Sequence, residues 1–593
     1  MSEKAAQVLV TAFVGRSPEQ FDAALRTDPA LAADWAVPPG GVILYGANIP
    51  PPPDTAPKLA ALVAALRARA EAAGSRPRLL VSIDHEGGRF THLGSEHGFT
   101  EFPGNMALGA IAAASGEPGG AAGPAAAEAA ARAAARAMAA ELAAVGVDLD
   151  YAPVLDINNN PANPIIGERS FGQDPWTVAA LGEASCRGFV EGGVLPCGKH
   201  FPGHGDTEVD SHLGLPRVPH SLDRLRAVEL VPFARAVKAG LGAVMTAHIV
   251  FPAAAGLAPA VAPVGAAAHA QSLPATLSPA VLEGLLRREL GFDGVIITDA
   301  LEMKAIADRW GVAEAAVTAL GAGADLILLS RPGQAGSVRE AIAAAVREGR
   351  LAAERLDEAV RLVLELKAAA AARPGDRPAE RAAPAPAAGA PADGAPPFDA
   401  AAHRRLAASI AARSVTLVRD LLGLLPLDPA GPGLWSVVSP TPELVEALGR
   451  VHAPVRDLPY VDAADPSVLA EVRSAARSSE VVFVATRMTG GVGPVAPRRS
   501  RSTARGAEAP ALLVEAALDS GRPVIWVALG TPYDLALLPR APVYLATYSS
   551  SRPSLQALAD VVTGRARPLG RLPVSIPGLY GAGHGLVTFG QNG

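Results

Sequence analysis

Cysteine is nearly absent from this chain. Two thiols, Cys186 and Cys197, are too few for a disulfide framework and fit no common zinc spacing, so both are expected to be buried and unpaired. Aromatic residues are scarce as well, at 4%, which argues against a long groove of stacked aromatic platforms and for a small pocket working through hydrogen bonds. No stretch of about eighteen apolar residues runs free of charge, glycine or proline, so no membrane span is expected. The opening MSEKAAQVLVTAFVG lacks the apolar core and small-residue cleavage site of a signal peptide, and a cytoplasmic location is the expectation. A formal net charge of −6 speaks against nucleic acid as a general partner. What is abundant is apolar: 49% of the 593 residues are hydrophobic, which excludes global disorder. The length exceeds what one core can organise and implies roughly two to four domains.

Up to about residue 330 the sequence alternates short β-rich apolar runs with Ala/Leu/Arg-rich helical stretches. The runs are VLVTAFV (8–14), GVILYG (41–46), LLVSID (79–84), VDLDYAPV (147–154), GVLPCGKH (193–200), AVMTAHI (243–249), GVIITDA (294–300) and DLILLS (325–330). Continuous apolar strands separated by helices read as a parallel sheet covered on its outside, and eight of them point to a (β/α)8 barrel. Polar residues strengthen the reading. Asp84, Lys199, His200, His248 and Asp299 all stand at or just past the C-terminal ends of these runs, where a barrel brings distant residues together on one face. An open doubly wound sheet, the alternative, would spread them along an edge.

Residues 368–398 are Ala/Pro/Gly-rich without apolar periodicity and read as a linker. They divide a catalytic barrel over 1–367 from an α/β sandwich domain over 399–593. In the latter, SVTLV (414–418), WSVVS (435–439), VVFVAT (481–486), VIWVALG (524–530) and VYLATY (543–548) read as parallel strands. This second domain holds 19 arginines, no lysine and 15 acidic residues. Arg498, Arg499, Arg501 and Arg505 crowd one loop past a strand, which is expected to be a solvated surface, with anion capture as the alternative.

The densest chemistry lies in KHFPGHGDTEVDSH (199–212), which gathers Lys199, His200, His204, His212, Asp206 and Asp210. Its glycines and proline make it a loop, able to aim several polar groups at one point. A carboxylate such as Asp210, two residues before His212, raises an imidazole's pKa and fixes its tautomer, which suits proton transfer. The same residue types also suit a metal site, although Lys199 places a fixed positive charge beside the ion. Asp299, after a clean β-run, is either an N-cap for a helix beginning near Leu301 or a reactive carboxylate. Glycoside hydrolysis with retention needs a carboxylate nucleophile on one side of the anomeric carbon and a proton donor on the other. Asp299 and His212 could supply that pair.

At this point the sequence resembles a known family. KHFPGHGDTEVDSH, with IDHEGGRF (83–90), NPIIGERSFG (163–172), VMTAHI (244–249) and TDALEM (298–303), is similar to the signatures of bacterial exo-β-N-acetylglucosaminidases of glycoside hydrolase family 3. SLQALADVVTGRARPLGRLPVSIP (554–577) resembles the tail of two-domain members. The resemblance implies Asp299 as the nucleophile of a covalent glycosyl-enzyme, His212 as general acid/base and Asp210 as its orienting carboxylate. It implies that Asp84, Arg169, Lys199 and His200 hydrogen-bond the terminal sugar, and that Gly203 and Gly205 let the loop move His212. It implies no cofactor and no metal. Two departures stand out: His85 occupies a position where the family commonly has glutamine, and Phe90-Thr91-His92 stands where a second arginine often follows, leaving open whether His92 contacts the sugar. The expectation is a metal-free, retaining β-N-acetylglucosaminidase acting on small N-acetylglucosaminides or muropeptides, with no nucleic-acid or membrane partner. Because a neutral imidazole adds no negative charge beside an anionic acceptor, a phosphorylase of the same fold is the runner-up. A catalytically dead sugar-binding protein is the reading from another class.

Overall fold

The computed structural model describes residues 1–114, 122–208, 210–211, 213–257, 272–372, 398–488 and 504–590. Eight short strands lie in the eight runs expected of them: β1 (Leu9–Thr11), β2 (Gly41–Leu44), β3 (Leu80–Ile83), β4 (Leu149–Asp150), β5 (Leu195–Phe201), β6 (Ala243–Thr246), β7 (Val295–Ile297) and β8 (Ile327–Leu329). They pair in parallel in the order β7-β6-β5-β4-β3-β2-β1-β8, and a parallel bridge from Ile297 to Leu326 joins β7 to the start of β8. The ring is a (β/α)8 barrel. Each strand sends apolar side chains inward as well as outward, which is why the runs are continuous rather than alternating. Val10, Ile43, Leu80, Leu149, Cys197, Met245, Ile297 and Leu328 fill the interior, and Leu362, Val363 and Leu366 of the helix Ala353–Ala371 pack with them. Cys186 and Cys197 are buried free thiols.

The N-terminal face of the barrel is tied by two carboxylates that precede strands. Asp148 receives Arg67 and Arg78, both at 2.7 Å, and the amide of Val81 at 2.9 Å. Asp325 receives Arg287 at 2.6 Å, Arg355 at 2.5 Å and the amide of Ile296 at 2.8 Å, across the seam where the ring closes. Catalytic groups of such barrels belong on the other face, and the strand-end polar residues named above all lie there by topology.

The second sheet has six strands, β9 (Thr416–Asp420), β10 (Trp435–Ser439), β11 (Val455–Pro459), β12 (Val481–Thr486), β13 (Val524–Ala528) and β14 (Val543–Ala546), in the order β11-β10-β12-β13-β14-β9. Two sequence expectations need correction. Strand β9 is antiparallel to β14: it leaves the helix Ala400–Ser414, which packs on the barrel helices Asn105–Ala112 and Pro124–Ala144, and so enters the sheet from the opposite end. Strand β11, VRDLP, escaped notice because it is an edge strand, largely unburied and carrying charges and a proline.

The two parts share packing. Ala407 and Ile410 join the barrel-side apolar cluster, while Met106, Ala107 and Ala110 join that of the second domain. Asn158 Nδ2 donates to the Tyr533 hydroxyl at 2.8 Å, and the Ser575 amide to Gln173 Oε1 at 2.7 Å. Of the expected linker 368–398, residues 368–371 continue a helix and 373–397 lie outside the described residues. So do Arg498, Arg499 and Arg501, and of Arg505 only its helical backbone is described. No described helix is long and apolar enough to cross a membrane.

Candidate active site

The chain turns sharply after β3. Gly87 and Gly88 take positive φ, and a Cβ on Gly88 would lie 2.8 Å from Gly104 Cα, so the HEGGR turn needs glycine there. This turn holds Asp84 at the strand end and folds Glu86 into the interior. Lys199, near the end of β5, places Nζ 2.7 Å from Asp84 Oδ1 and 2.6 Å from Glu86 Oε1. Arg169 grips both oxygens of Glu86, at 2.8 and 2.7 Å, and sets its guanidinium 4.3 Å from the Phe90 ring centroid. Burial alone would raise the Glu86 pKa; Arg169 and Lys199 override it and hold the carboxyl well below the usual range. Burial likewise opposes the charge on Lys199, yet Asp84 and Glu86 keep its pKa above normal. The result is a buried cradle of fixed charges, each held by a partner of opposite sign.

His200 extends the cradle. Its Nδ1 lies 2.6 Å from Asp156 Oδ2, and its Nε2 lies 3.4 Å from Arg169. Asp156 also accepts from the His204 amide at 2.7 Å, so one buried carboxylate sets the course of the loop after β5. Asn163 then donates to the carbonyls of His204 and Thr207 at 2.8 and 3.1 Å. His204 spends both ring nitrogens within the loop, on Thr207 Oγ1 at 3.0 Å and Ser211 Oγ at 3.2 Å. Burial pushes its pKa down to about 4, with His200 adding to the shift, so it is neutral near pH 7. Close packing explains the loop glycines: a Cβ on Gly205 would meet the Ile157 carbonyl at 1.6 Å, and one on Gly203 would lie 3.1 Å from Glu229 Cβ. Asp210 is buried, at 5% exposure. His212 lies outside the described residues.

Asp299 stands half-buried just past β7. Its Oδ1 accepts from the Ala300 amide at 2.7 Å. The Ala300 carbonyl is in turn 3.0 Å from His248 Nε2, and His248 Nδ1 is 2.8 Å from Thr276 Oγ1, itself 2.8 Å from Thr246 Oγ1. Thr276 Oγ1 also donates to the Ala247 carbonyl at 3.1 Å, so both ring nitrogens of His248 are engaged in holding the β6 and β7 ends together. Glu302 fixes the next turn by accepting from the amides of Ser330 and Arg331 at 3.0 and 2.9 Å. The capping alternative for Asp299 fails, because the following helix starts at Lys304 behind Met303. Tyr45, past β2, links the two halves: burial first, then the charges of Asp84, Glu302 and Asp299, push its pKa up.

The structure thus brings Asp84, Lys199, Arg169 and His200 into one cluster and sets Asp299 at the end of β7 on the same barrel face. Glu86 and Asp156, the hubs of that cluster, were not singled out from sequence. The available signal was position, since each lies within a few residues of the end of an apolar run. His92 lies beside Asp84 and Glu86, whose charges oppose the downward push that burial gives its pKa. His85 is buried, with a pKa pushed down to about 3, and donates its amide to Asp150 at 2.8 Å. The histidines at 200 and 204 do not converge on a common ligand point, since their ring nitrogens face separate partners. Among the described residues Asp206, His220 and Glu229 bring donor atoms within 4.8 Å of one another. There Arg224 already holds both Glu229 oxygens, at 2.8 and 2.7 Å, so a guanidinium occupies the place of a cation.

Comparison with known proteins bears on the fold and the family. The model of the glycosyl hydrolase family 3 N-terminal domain matches residues 3–366, and that of the family's C-terminal domain matches residues 310–583. The chain is 30% identical over 571 residues to beta-hexosaminidase A of Pseudoalteromonas piscicida, covering 91% of this chain and 89% of that protein. It is 36% identical over 305 residues to a beta-hexosaminidase of Chromobacterium violaceum, covering 51% and 75%. Among solved structures, a family 3 β-N-acetylglucosaminidase from Paenibacillus sp. str. FPU-7 superposes with a TM-score of 0.79 at 34% identity, covering 97% of this chain and 98% of that one.

Proposed function

The chain belongs to glycosyl hydrolase family 3, and from that premise we propose that this glycosidase is a retaining exo-β-N-acetylglucosaminidase. The observation that carries the reading is a half-buried carboxylate, Asp299, at the end of β7, on the same barrel face as the charge-balanced cradle of Asp84, Lys199, Glu86, Arg169 and His200. Asp84 and Lys199 offer an acceptor and donors to sugar hydroxyls, while Glu86 and Asp156 hold Lys199, Arg169 and His200 in place. Preorganised charges of this kind bind polar hydroxyls without reorganisation at the moment of reaction.

In the first step Asp299 attacks the anomeric carbon while His212 protonates the departing oxygen, giving a glycosyl ester and a free aglycone. In the second, His212 removes a proton from water, which displaces Asp299. Asp210 positions His212. The substrate is a small fragment with terminal β-linked N-acetylglucosamine, and its natural source is peptidoglycan. Hydrolysis of an aryl N-acetyl-β-glucosaminide, followed by proton NMR from the first seconds, tests the reading. The β-anomer of the free sugar should appear first; initial release of the α-anomer, or no hydrolysis, would reject it.

A further inference from the structure

The second domain contributes a charge cluster that the proposed chemistry does not use. Its sheet changes winding direction at β10, which has β11 on one side and β12 on the other. Ligands of parallel sheets bind outside the C-terminal strand ends at such a switch point. Here those ends meet the barrel loops. A Cβ on Gly167 would lie 3.1 Å from Thr531, and one on Gly104 would lie 3.5 Å from the Tyr548 carbonyl. Arg487 directly follows β12 and donates to Ser550 Oγ. Gly530 leaves room beside it, since a Cβ there would lie 3.4 Å from Arg487 Cγ and 3.5 Å from Glu168 Oε2.

Arg89 arrives from the barrel side. Its guanidinium lies 5.0 Å from the centroid of the Phe90 ring, the same ring that Arg169 approaches to 4.3 Å. Arg89 is therefore one aromatic ring away from the sugar cradle. Its Nε is 3.4 Å from Glu168 Oε1, a contact that does not make a hydrogen bond, and its Nη2 reaches the Ile165 carbonyl at 3.4 Å.

Glu168 lies 3.4 Å from Arg89 and across the Gly530 gap from Arg487, and hydrogen bonds remain unmade. Among the described residues Arg89 Nε, Arg487 Nε and Glu168 Oε1 are buried without a hydrogen-bond partner. Two other buried carboxylates pair their arginines fully: Arg169 holds Glu86 bidentately, and Arg287 and Arg355 divide the two oxygens of Asp325. An interdomain latch alone would be expected to pair in that manner. Burial, and then the like charge of Arg89, depress the Arg487 pKa against the pull of Glu168, so a further anion would be welcome.

We propose that Arg89 and Arg487 form an oxyanion subsite beside the sugar cradle, built across the two domains. It takes either a carboxylate carried by the aglycone or free phosphate serving as acceptor. The assignment of the neighbouring cradle to sugar rests on the function proposed above.

The test uses the full chain, the wild type and the Arg487→Gln and Arg487→Lys variants, checked for equal thermal stability. The first probe is an N-acetylglucosaminyl disaccharide whose aglycone sugar bears a carboxylate, compared with its methyl ester. Wild type should prefer the acid by about tenfold or more in kcat/KM, and Arg487→Gln should reduce that ratio to near one, with Arg487→Lys between. The second probe is inorganic phosphate, titrated calorimetrically and included in turnover. Binding lost in Arg487→Gln, with a glycosyl phosphate among the products, would assign the subsite to the acceptor. An acid-to-ester ratio near one together with no Arg487-dependent phosphate binding overturns the proposal. If no N-acetylglucosaminide is hydrolysed yet phosphate binding depends on Arg487, the function proposed above falls and the subsite stands.

Discussion

Single residues carry much of the pH behaviour expected of this protein. His85 is buried and its pKa is pushed down to about 3, while an unfolded imidazole titrates near ~6.5. Between those values the unfolded chain binds the extra proton, so this residue's contribution to stability is full above about pH 6.5 and is lost as pH falls toward 3. His204, at about 4 for the same chief reason, adds a second loss over a similar window. Glu86 and Asp156, both held below the ordinary carboxylate range, add theirs only at lower pH. His85→Gln should flatten the fall in stability between pH 6.5 and 4.5 by up to about 1.4 kcal/mol per pH unit, measured by urea unfolding at several pH values. An unchanged slope would mean that His85 is not the group titrating there. At this scale the sequence was legible where a polar residue ended an apolar run, as at Asp84, Lys199 and Asp299. It was not legible at Glu86 and Asp156, whose importance comes from partners such as Arg169, 83 residues away, and His200, 44 residues away.

At the scale of elements, the eight barrel strands could be read because burial on both faces writes an unbroken apolar run. Direction is not written locally, and β9 was accordingly misread as parallel. Its pairing with β14 depends on how the preceding helix packs. Closure into a barrel was expected from the eight runs, but the contacts across its seam, Asp325 between Arg287 and Arg355, were not legible. Burial raises the Asp325 pKa despite both guanidiniums, so the triad's net contribution is small, yet removing its centre leaves two cations without their shared carboxylate. Asp325→Ala should destabilise the protein by about 3–5 kcal/mol in urea unfolding. Because Asp325 lies on the face opposite the candidate site, KM of the folded enzyme should stay the same. A loss below ~1 kcal/mol would show that other contacts close the barrel.

At the scale of the whole molecule, apolar packing crosses from one part to the other. Ala407 and Ile410 sit in the barrel-side cluster, and Met106 and Ala110 in that of the second domain. Scanning calorimetry should therefore give one coupled transition; two well-separated transitions would contradict this packing. The composition of 368–398 led to the expectation of a linker, but nothing in it showed which surfaces of the two parts would meet. The central claim remains the role of Asp299, and trapping tests it most directly. A 5-fluoro N-acetylglucosaminyl fluoride should react with loss of fluoride to leave a long-lived glycosyl ester, detected by mass spectrometry of proteolytic peptides. The account predicts one fluorinated sugar on the peptide spanning 289–304, fragmenting to Asp299 and absent in Asp299→Ala. A label on Glu302 or on any other residue, or turnover retained in Asp299→Ala, would contradict it.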